Sequence, residues 1–259
     1  MDLDIWRCSA SRPWQLEKTH DNLLKHVKFS GEVQLHLIES VLVRDLSEKC
    51  IEFGKAHGYK VHVIDPAKGQ GYAWNEAIHH VVTTRYSLKM DDDFMPVRDL
   101  PIDDCVEIMN SFPHINQICF NKRETMASKA YNFRGEPREW PKEQRYFNGD
   151  NGKTVPLVVK ERWWFGSAIW RMSFIKPIFK YWPHNTHNMF NDFVILPMAG
   201  AVPNERVATP KDIENKIGCY IYGKTGDPLM CQHTGVNDSI WNGSFQKMMA
   251  EQGKEIVGK

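Results

Sequence analysis

Three consecutive aspartates form the clearest candidate site in this sequence. Asp91, Asp92 and Asp93 stand between Met90 and Phe94, directly after a short apolar segment. Like charges this close repel one another in a partly desolvated site, so they need a cation or a network of hydrogen-bond donors to coexist. Their carboxylate oxygens suit Mg²⁺ or Mn²⁺, ions that keep several waters and bridge to phosphates. The alternative is a solvated turn or a helix N-cap, where aspartate is also favoured.

The elements that must position these aspartates are predicted to be alternating strands and helices. Strands are predicted at residues 4–8, 33–38, 60–64 and 86–90, and helices at 14–28, 45–57 and 74–82. This alternation predicts an α/β fold, with a mostly parallel sheet flanked by helices on both faces. Ligands of such sheets bind beyond the carboxyl ends of the strands. The aspartates follow the fourth strand, and this position favours a functional site.

The second half of the chain has a less regular order of predicted elements. We predict a helix at 102–112, a strand at 115–120, a helix or a helix plus turn within the apolar segment 168–182, and a short amphipathic helix after residue 240. No internal repeat is visible, so one continuous domain is the simplest organisation.

The composition is that of a globular protein with a full core. The chain has 259 residues, 42% of them hydrophobic and 25% charged, which excludes a disordered or collagen-like chain. Its net charge of +1 gives no overall electrostatic attraction to nucleic acid or membranes. The six cysteines are scattered without a Cys-x-x-Cys pair, so we expect reduced thiols in a cytoplasmic protein. We expect neither a secretory signal nor a membrane span, because no apolar segment is long enough.

Four motifs, in this order and spacing, carry a family resemblance: Ser-Ala-Ser-Arg-Pro at 9–13, Glu39, Lys-Gly-Gln-Gly-Tyr-Ala-Trp-Asn at 68–75 and Leu-Lys-Met-Asp-Asp-Asp at 88–93. Together they resemble the GT-A fold glycosyltransferases of the family 2 type. The match is good over roughly the first hundred residues and looser beyond them.

The resemblance implies how the domain is organised. A single Rossmann-like GT-A domain would cover residues 1–259. Residues 1–100 would bind a nucleotide sugar, 101–239 would hold the acceptor and the catalytic base, and 240–259 would form a C-terminal helix. The implied activity is transfer of a hexose or pentose from a nucleoside-diphosphate sugar, expected to be a UDP-sugar, to an acceptor hydroxyl.

The resemblance also implies a set of donor-binding residues. The set is Ser9, Ser11, Arg12, Glu39, Gly69, Gly71, Asn75, Asp91 and Asp92. Glu39 stands where the family usually has aspartate, which leaves the nucleotide base open. Gly69 and Gly71 would let the backbone approach the nucleotide because they lack a Cβ, although a plain turn explains them as well. A surface or capping role accounts for Asn75 equally.

A divalent cation follows from the same resemblance. Asp93, with Asp91 and His233, is implied to hold Mn²⁺ or Mg²⁺, which would act as a Lewis acid on the departing diphosphate. His233 lies in Cys-Gln-His-Thr-Gly at 231–235. The alternative for a lone histidine is a satisfied core or surface position.

The catalytic base implied by the resemblance is Asp192. The family often has two adjacent acidic residues here, and in this chain Asn191 replaces the first of them. A single base that takes a proton from the acceptor hydroxyl fits direct displacement with inversion. An N-cap for a helix that begins at Phe193 is the alternative.

The acceptor site is expected beside Gly166, in the position of the family's small residues at the floor of the sugar site. Trp163 and Trp164 precede it and would contact the acceptor, unless they belong to a core aromatic cluster. Residues 121–164 carry a net charge of +4 against −3 for the remainder, with aromatic residues interleaved. Such a segment suits a saccharide or another small molecule stacked on aromatic rings. It also suits a hydroxymethylated pyrimidine in viral DNA, held through Arg134 and Arg138.

Two other classes of function remain open. A nucleotidyltransferase would use the same sheet and metal, but it usually has a Gly-rich basic loop after the first strand, and residues 9–13 contain no glycine. A non-catalytic module on the same fold would bind a sugar nucleotide or nucleic acid. Slow hydrolysis of the donor in the presence of Mn²⁺ distinguishes an enzyme from a binding module.

Overall fold

A computed structural model describes residues 2–120, 143–160, 166–179, 218–224, 227–234 and 244–257, together with the backbone of two short strands at 129–131 and 137–139. Its strands, in chain order, are β1 (Asp2–Ser9), β2 (Val27–Lys28), β3 (Glu32–Ser40), β4 (Lys60–Ile64), β5 (Tyr86–Lys89), β6 (Phe94–Pro96), β7 (Leu100–Pro101), β8 (Gln117–Cys119), β9 (Lys129–Tyr131), β10 (Pro137–Glu139), β11 (Gln144–Asn148), β12 (Thr154–Val159), β13 (Ala168–Arg171), β14 (Cys219–Tyr222) and β15 (Cys231–His233). Its helices are α1 (Pro13–His26), α2 (Arg44–Ala56), α3 (Gln70–Glu76), α4 (Ile102–Ser111), α5 (Met172–Ile178) and α6 (Ser244–Glu251), and a π-helical turn (Ala77–Val81) continues α3.

A nine-stranded sheet forms the centre of the molecule, in the order β11-β12-β14-β8-β13-β5-β1-β3-β4. The four strands predicted from the first hundred residues pair in parallel, with β1 between β3 and β5 and with β4 outside β3. The other half is mixed, because β13 runs antiparallel to both of its neighbours while β14 is parallel to β8. The α/β class with a sheet flanked by helices is therefore confirmed, and its parallel part is the N-terminal half.

The start of the segment 168–182 differs from the helix expected there. Ala168–Arg171 is the strand β13, fully buried between β5 and β8, and α5 begins only at Met172. A short apolar run such as Ala-Ile-Trp at 168–170 has the same hydrophobic pattern in a buried strand as in a buried helix, so periodicity could not separate the two.

Apolar layers cover both faces of the sheet. On one face, α3, the π-helical turn and α5 pack on a cluster that includes Trp6, Trp74 and Trp170, and the rings of Trp6 and Trp170 meet edge to face at 5.3 Å. On the other face, buried side chains of α4 join those of β1 and β5. The layers fix the sheet, and with it the ends of the strands that carry the candidate site.

Helix α1 begins directly after the first candidate motif. Pro13 occupies its first turn, where a missing N–H costs nothing, and Leu16 and Leu23 face the core. Ser11, just before the helix, has a φ of 58°, which turns the chain sharply from β1 into α1. This turn brings Arg12 to the carboxyl end of the sheet.

Two expectations from composition can be compared with the structure. All six cysteine thiols are unpaired, and five of them are buried. Among the helices of the described ranges, none combines the length and the apolar character that crossing a membrane requires.

Candidate functional site

The predicted motifs meet where β1, β3 and β5 end. Ser9 pairs in register with Glu39 across β1 and β3, and Trp6 pairs with Lys89 across β1 and β5. The Asp92 N–H donates to the Cys8 carbonyl at 3.2 Å, which keeps the aspartate turn against the end of β1. Three motifs that lie far apart in the sequence therefore share one edge of the sheet.

Arg12 is the cation that lets two of the aspartates coexist. Its Nε donates to Asp92 Oδ2 at 3.1 Å and its Nη2 donates to Asp92 Oδ1, while Nη1 lies 3.2 Å from Asp93 Oδ2. Asp92 is fully buried, and Arg12 is 7% exposed. The paired geometry matches the fork of a guanidinium to a carboxylate, which is the strongest form of this contact. Asp92 is therefore held inside the protein, whereas the Asp93 side chain is 13% exposed.

Lys89 is the counter-ion of Asp91. It is fully buried, and its Nζ lies 2.5 Å from Asp91 Oδ2. The ammonium also lies 5.3 Å from the ring centroid of Trp6 and 5.7 Å from that of Trp74, within cation–π range. Burial raises the pKa of Asp91, and the charge of Lys89 opposes that rise. The other oxygen, Asp91 Oδ1, is buried without a hydrogen-bond partner among the described residues.

Arg7, in β1, holds the backbone of the aspartate turn. It is fully buried in β1, and its Nη2 donates to the Asp92 carbonyl at 3.1 Å. The Thr19 hydroxyl donates to the same carbonyl at 2.9 Å, and Arg7 Nη1 donates to the Tyr59 hydroxyl at 3.2 Å. The turn backbone is thus tied to both α1 and the segment before β4.

The sequence interpretation gave Arg7 and Lys89 no role. The available signal was one basic residue among the apolar residues of each predicted strand, since Lys and Arg are almost never fully buried unless paired. In these strands the pairing partner is the aspartate turn.

His233 lies beside Asp93, as the resemblance implied. β15 pairs antiparallel with β6, so that His233 stands opposite Phe94, and the Thr234 N–H donates to the Asp93 carbonyl at 2.7 Å. The distance between His233 Nε2 and Asp93 Oδ2 is 3.3 Å. Burial raises the pKa of Asp93, but the contacts with His233 and Arg12 outweigh it and hold this pKa below its usual range. Asp93 is therefore a carboxylate at neutral pH.

Asp93 and His233 fit a divalent cation that is shared with a ligand. Neighbouring ligands of an octahedral Mg²⁺ with bonds of ~2.1 Å are ~3 Å apart, close to the separation seen here. In the described part of the chain, no three His, Cys, Asp or Glu side chains are grouped to hold a metal. Asp91, the third predicted ligand, pairs with Lys89, and its contact with a metal stays a prediction. Two protein ligands with open positions suit an ion completed by phosphate oxygens and water.

Glu39 closes a buried hydrogen-bond chain at the end of β3. The Leu42 and Val43 N–H groups donate to Ser11 Oγ at 3.0 and 2.8 Å. Ser11 Oγ contacts Ser47 Oγ at 2.7 Å, and Ser47 donates in turn to Glu39 Oε1 at 2.7 Å. The chain fixes the loop ahead of α2.

The same carboxyl group also holds the turn before Arg12. The Ser11 N–H donates to Glu39 Oε1 at 2.8 Å, and Glu39 Oε2 is buried without a hydrogen-bond partner among the described residues. Burial raises the pKa of Glu39 to about 7, although hydrogen bonds from Ser47 and Ser11 oppose the rise. Glu39 is fully enclosed, so in this structure it positions the Ser11 turn. Its predicted contact with the nucleotide stays a prediction, as does that of Ser11.

The remaining predicted donor residues lie at the end of β1 and at or within helix α3. Ser9 is buried at the end of β1, and its Oγ lies 3.8 Å from Cys50 Sγ. Gly69 precedes α3 with a φ of 91°, a backbone conformation that glycine adopts readily. Gly71 and Asn75 are buried on α3.

Gly166 precedes the end of β13 that pairs with the end of β5. Ala168 pairs with Lys89 across β13 and β5, which run antiparallel. Gly166 comes two residues before Ala168, and Asp91 comes two residues after Lys89. Gly166 is buried, and its place at the floor of the sugar site stays a prediction.

Several predicted residues lie outside the described residues, so their placement stays a prediction. They are the proposed base Asp192 and the acceptor residues Trp163, Trp164 and Arg134. For Arg138 the backbone alone is described, in β10.

Comparisons with known proteins identify the architecture. The sequence matches no protein-family model and no curated protein sequence. Its fold resembles solved glycosyltransferase structures. TarS 1–349 of S. aureus in complex with UDP aligns with 96% of this chain at 15% identity and a TM-score of 0.52. The mannosyltransferase PcManGT of Pyrobaculum calidifontis, in complex with GDP-Man and Mn²⁺, aligns with 85% at 10% identity and a TM-score of 0.52.

GalNAc-T7 with UDP, GalNAc and Mn²⁺ aligns with 86% of the chain at 11% identity and a TM-score of 0.50. The chain spans 63% of the TarS structure, 56% of PcManGT and 42% of GalNAc-T7. At identities this low, the comparisons show that the fold is alike. The protein therefore has the GT-A fold.

Proposed function

We propose that the protein is a glycosyltransferase that moves a sugar from a nucleoside-diphosphate sugar to an acceptor hydroxyl with the help of a divalent cation. The observation that carries this proposal is the Asp93–His233 pair at the carboxyl end of β5, where the two side chains are 3.3 Å apart. The fold adds support, since TarS, PcManGT and GalNAc-T7 were solved with UDP, GDP-Man or UDP and GalNAc.

The cation would be Mn²⁺ or Mg²⁺, held by Asp93 and His233. When bound, such an ion supplies charge stabilisation for the departing nucleoside diphosphate. Both side chains reach solvent, because the His233 side chain is 31% exposed and that of Asp93 is 13% exposed. Asp91 and Asp92 are less suited to contact the ion, since Lys89 and Arg12 already neutralise them.

The chain's own residues would bind and orient the donor. Arg7 and Arg12 fix the aspartate turn, and the Glu39–Ser11 contact fixes the turn that carries Arg12. A site held this rigidly costs little reorganisation when charge develops on the leaving group. Asp192 would take the proton of the acceptor hydroxyl, which fits inversion at the sugar carbon. The donor would be a UDP-sugar.

The acceptor would be a saccharide or another small molecule that stacks on Trp163 and Trp164. The basic and aromatic composition of residues 121–164 supports this choice and also supports DNA with a hydroxymethylated pyrimidine.

Donor hydrolysis tests the proposal without knowledge of the acceptor. The protein is incubated with a panel of UDP-, GDP- and CDP-sugars and Mn²⁺, and release of the nucleoside diphosphate is measured. We expect slow release from at least one donor, and loss of this release in Asp93→Asn. Asp21→Asn is the matched control, because Asp21 is exposed on α1. Full activity of the Asp93 variant, or no release from any donor, would contradict the proposal.

A further inference from the structure

One oxygen at the candidate metal site has two competing neighbours. Asp93 Oδ2 lies 3.2 Å from Arg12 Nη1 and 3.3 Å from His233 Nε2. A cation held by Asp93 and His233 would therefore share this carboxylate with a guanidinium. The oxygen is not vacant in the free protein.

The charged groups around Asp93 explain why Arg12 and a cation compete for it. Lys89 neutralises Asp91, and Arg12 is divided between Asp92 and Asp93. Of the guanidinium contacts described above, Asp92 receives two and Asp93 one, so Asp93 keeps part of its negative charge. This remaining charge attracts a cation, and the nearby positive charge of Arg12 repels it.

We propose that Arg12 is a built-in counter-ion that competes with the divalent cation for Asp93, so that the free protein binds the metal weakly and a nucleoside diphosphate makes the binding tight. The inference rests on the proposed function. A diphosphate supplies new acceptors for the guanidinium, whose planar fork suits phosphate oxygens. A ligand that takes up this positive charge leaves Asp93 to the metal, and the coupling is reciprocal, since the metal must then favour the nucleotide by the same factor.

Two substitutions of the same ion pair predict opposite effects. Arg12→Gln removes the competing charge, and Mn²⁺ should bind the free protein at least ~10-fold more tightly, as expected for one charge a few ångströms from a divalent ion near a protein surface. Asp92→Asn removes the other partner, so that Arg12 compensates Asp93 alone and Mn²⁺ binds more weakly. A structural disturbance of the turn would weaken binding in both variants.

Electron paramagnetic resonance of free Mn²⁺ measures these affinities without any donor turnover. Each protein is titrated with Mn²⁺ alone and again with UDP, and circular dichroism confirms that the variant is folded. Arg98→Gln is the matched control, because Arg98 is an exposed arginine five residues beyond Asp93. UDP should tighten Mn²⁺ binding in the wild type and in the Arg98 variant, and much less in the Arg12 variant.

The outcomes separate this inference from the proposed function. Unchanged or weaker Mn²⁺ binding by folded Arg12→Gln overturns the inference. If the wild type still binds Mn²⁺ in the presence of UDP, the proposed metal site is nevertheless supported. Weaker binding in both the Arg12 and Asp92 variants also overturns it. No Mn²⁺ binding by any of the proteins, with or without UDP, overturns the inference and the proposed metal site together.

Discussion

Replacement of Glu39 by glutamine should remove a pH dependence of stability that this buried carboxyl group creates. Glu39 is fully buried, and burial raises its pKa from 4.5 to about 7. A glutamine keeps an oxygen at Oε1 for Ser11 and Ser47, and it has no proton to lose. The variant therefore changes the titration and leaves both hydrogen bonds in place.

The sign and size follow from linkage between protonation and folding. Because the pKa of Glu39 is higher in the folded protein than in the unfolded chain, its stabilising effect is complete below pH ~4.5 and is lost as the pH rises through about 7. Each pKa unit corresponds to about 1.4 kcal/mol, so the full loss is about 3 kcal/mol. Roughly 2–3 kcal/mol of this falls between pH 5 and pH 8. Over this range the wild type should lose that much free energy of unfolding relative to Glu39→Gln.

Urea denaturation of both proteins at pH 5 and pH 8 measures the difference. Other titrating groups cancel, because they are common to the two proteins. Glu48→Gln is the matched control, since Glu48 is exposed on α2 beside Ser47 and should give no such change. If the difference in free energy of unfolding between the wild type and Glu39→Gln is the same at both pH values, the buried network described here is refuted.

Three further predictions concern other parts of the chain. Gly218→Ala should destabilise the protein by more than Gly152→Ala, because both glycines have a positive φ but only at Gly218 would a Cβ lie 1.7 Å from a backbone carbonyl oxygen; thermal denaturation compares the two, and equal losses would contradict the stated packing. Asp192→Asn should lower turnover by at least ~10²-fold while donor affinity is kept, the usual scale for loss of a general base; equal losses of affinity and turnover would make Asp192 structural. Reversal of Arg134 and Arg138 to glutamate should abolish salt-sensitive binding of a short oligonucleotide if DNA is the acceptor; binding that is absent or flat between roughly 50 and 200 mM salt would exclude DNA.

The parallel half of the fold could be predicted because its signals are local. Strand–helix alternation located β1, β3, β4 and β5, and the rule for ligands at strand ends brought Asp91–Asp93 together with the loop after β1. By contrast, β13 could not be predicted, since three apolar residues followed by Arg171 are too short a run to show a period. Its place in the centre of the sheet depends on long-range pairing.

The contacts that hold the site together depend on burial, which a sequence does not show. The sequence interpretation required a cation or donors for the aspartates, but it could not say that Arg12, Lys89 and Arg7 supply them. The contact of Glu39 with the nucleotide stays a prediction, but the sequence could not show that its enclosed carboxyl group also supports Ser11. The proximity of His233 to Asp93 followed from the family resemblance alone, because nothing local links β15 to β6.

Nucleotide binding is the central claim, and a thermal-shift panel tests it most directly. The protein is heated with UDP, GDP, CDP, ADP or TDP, each with and without Mn²⁺, beside the Asp93→Asn variant. A ligand at about 100 times its Kd stabilises the folded state by about 2.7 kcal/mol, which should raise the Tm by roughly 5–10 °C for a chain of this size. We predict such a shift for UDP with Mn²⁺, a smaller one for UDP alone, and loss of the Mn²⁺-dependent part in the variant. Failure of every nucleoside diphosphate to raise the Tm at millimolar concentration would contradict the account.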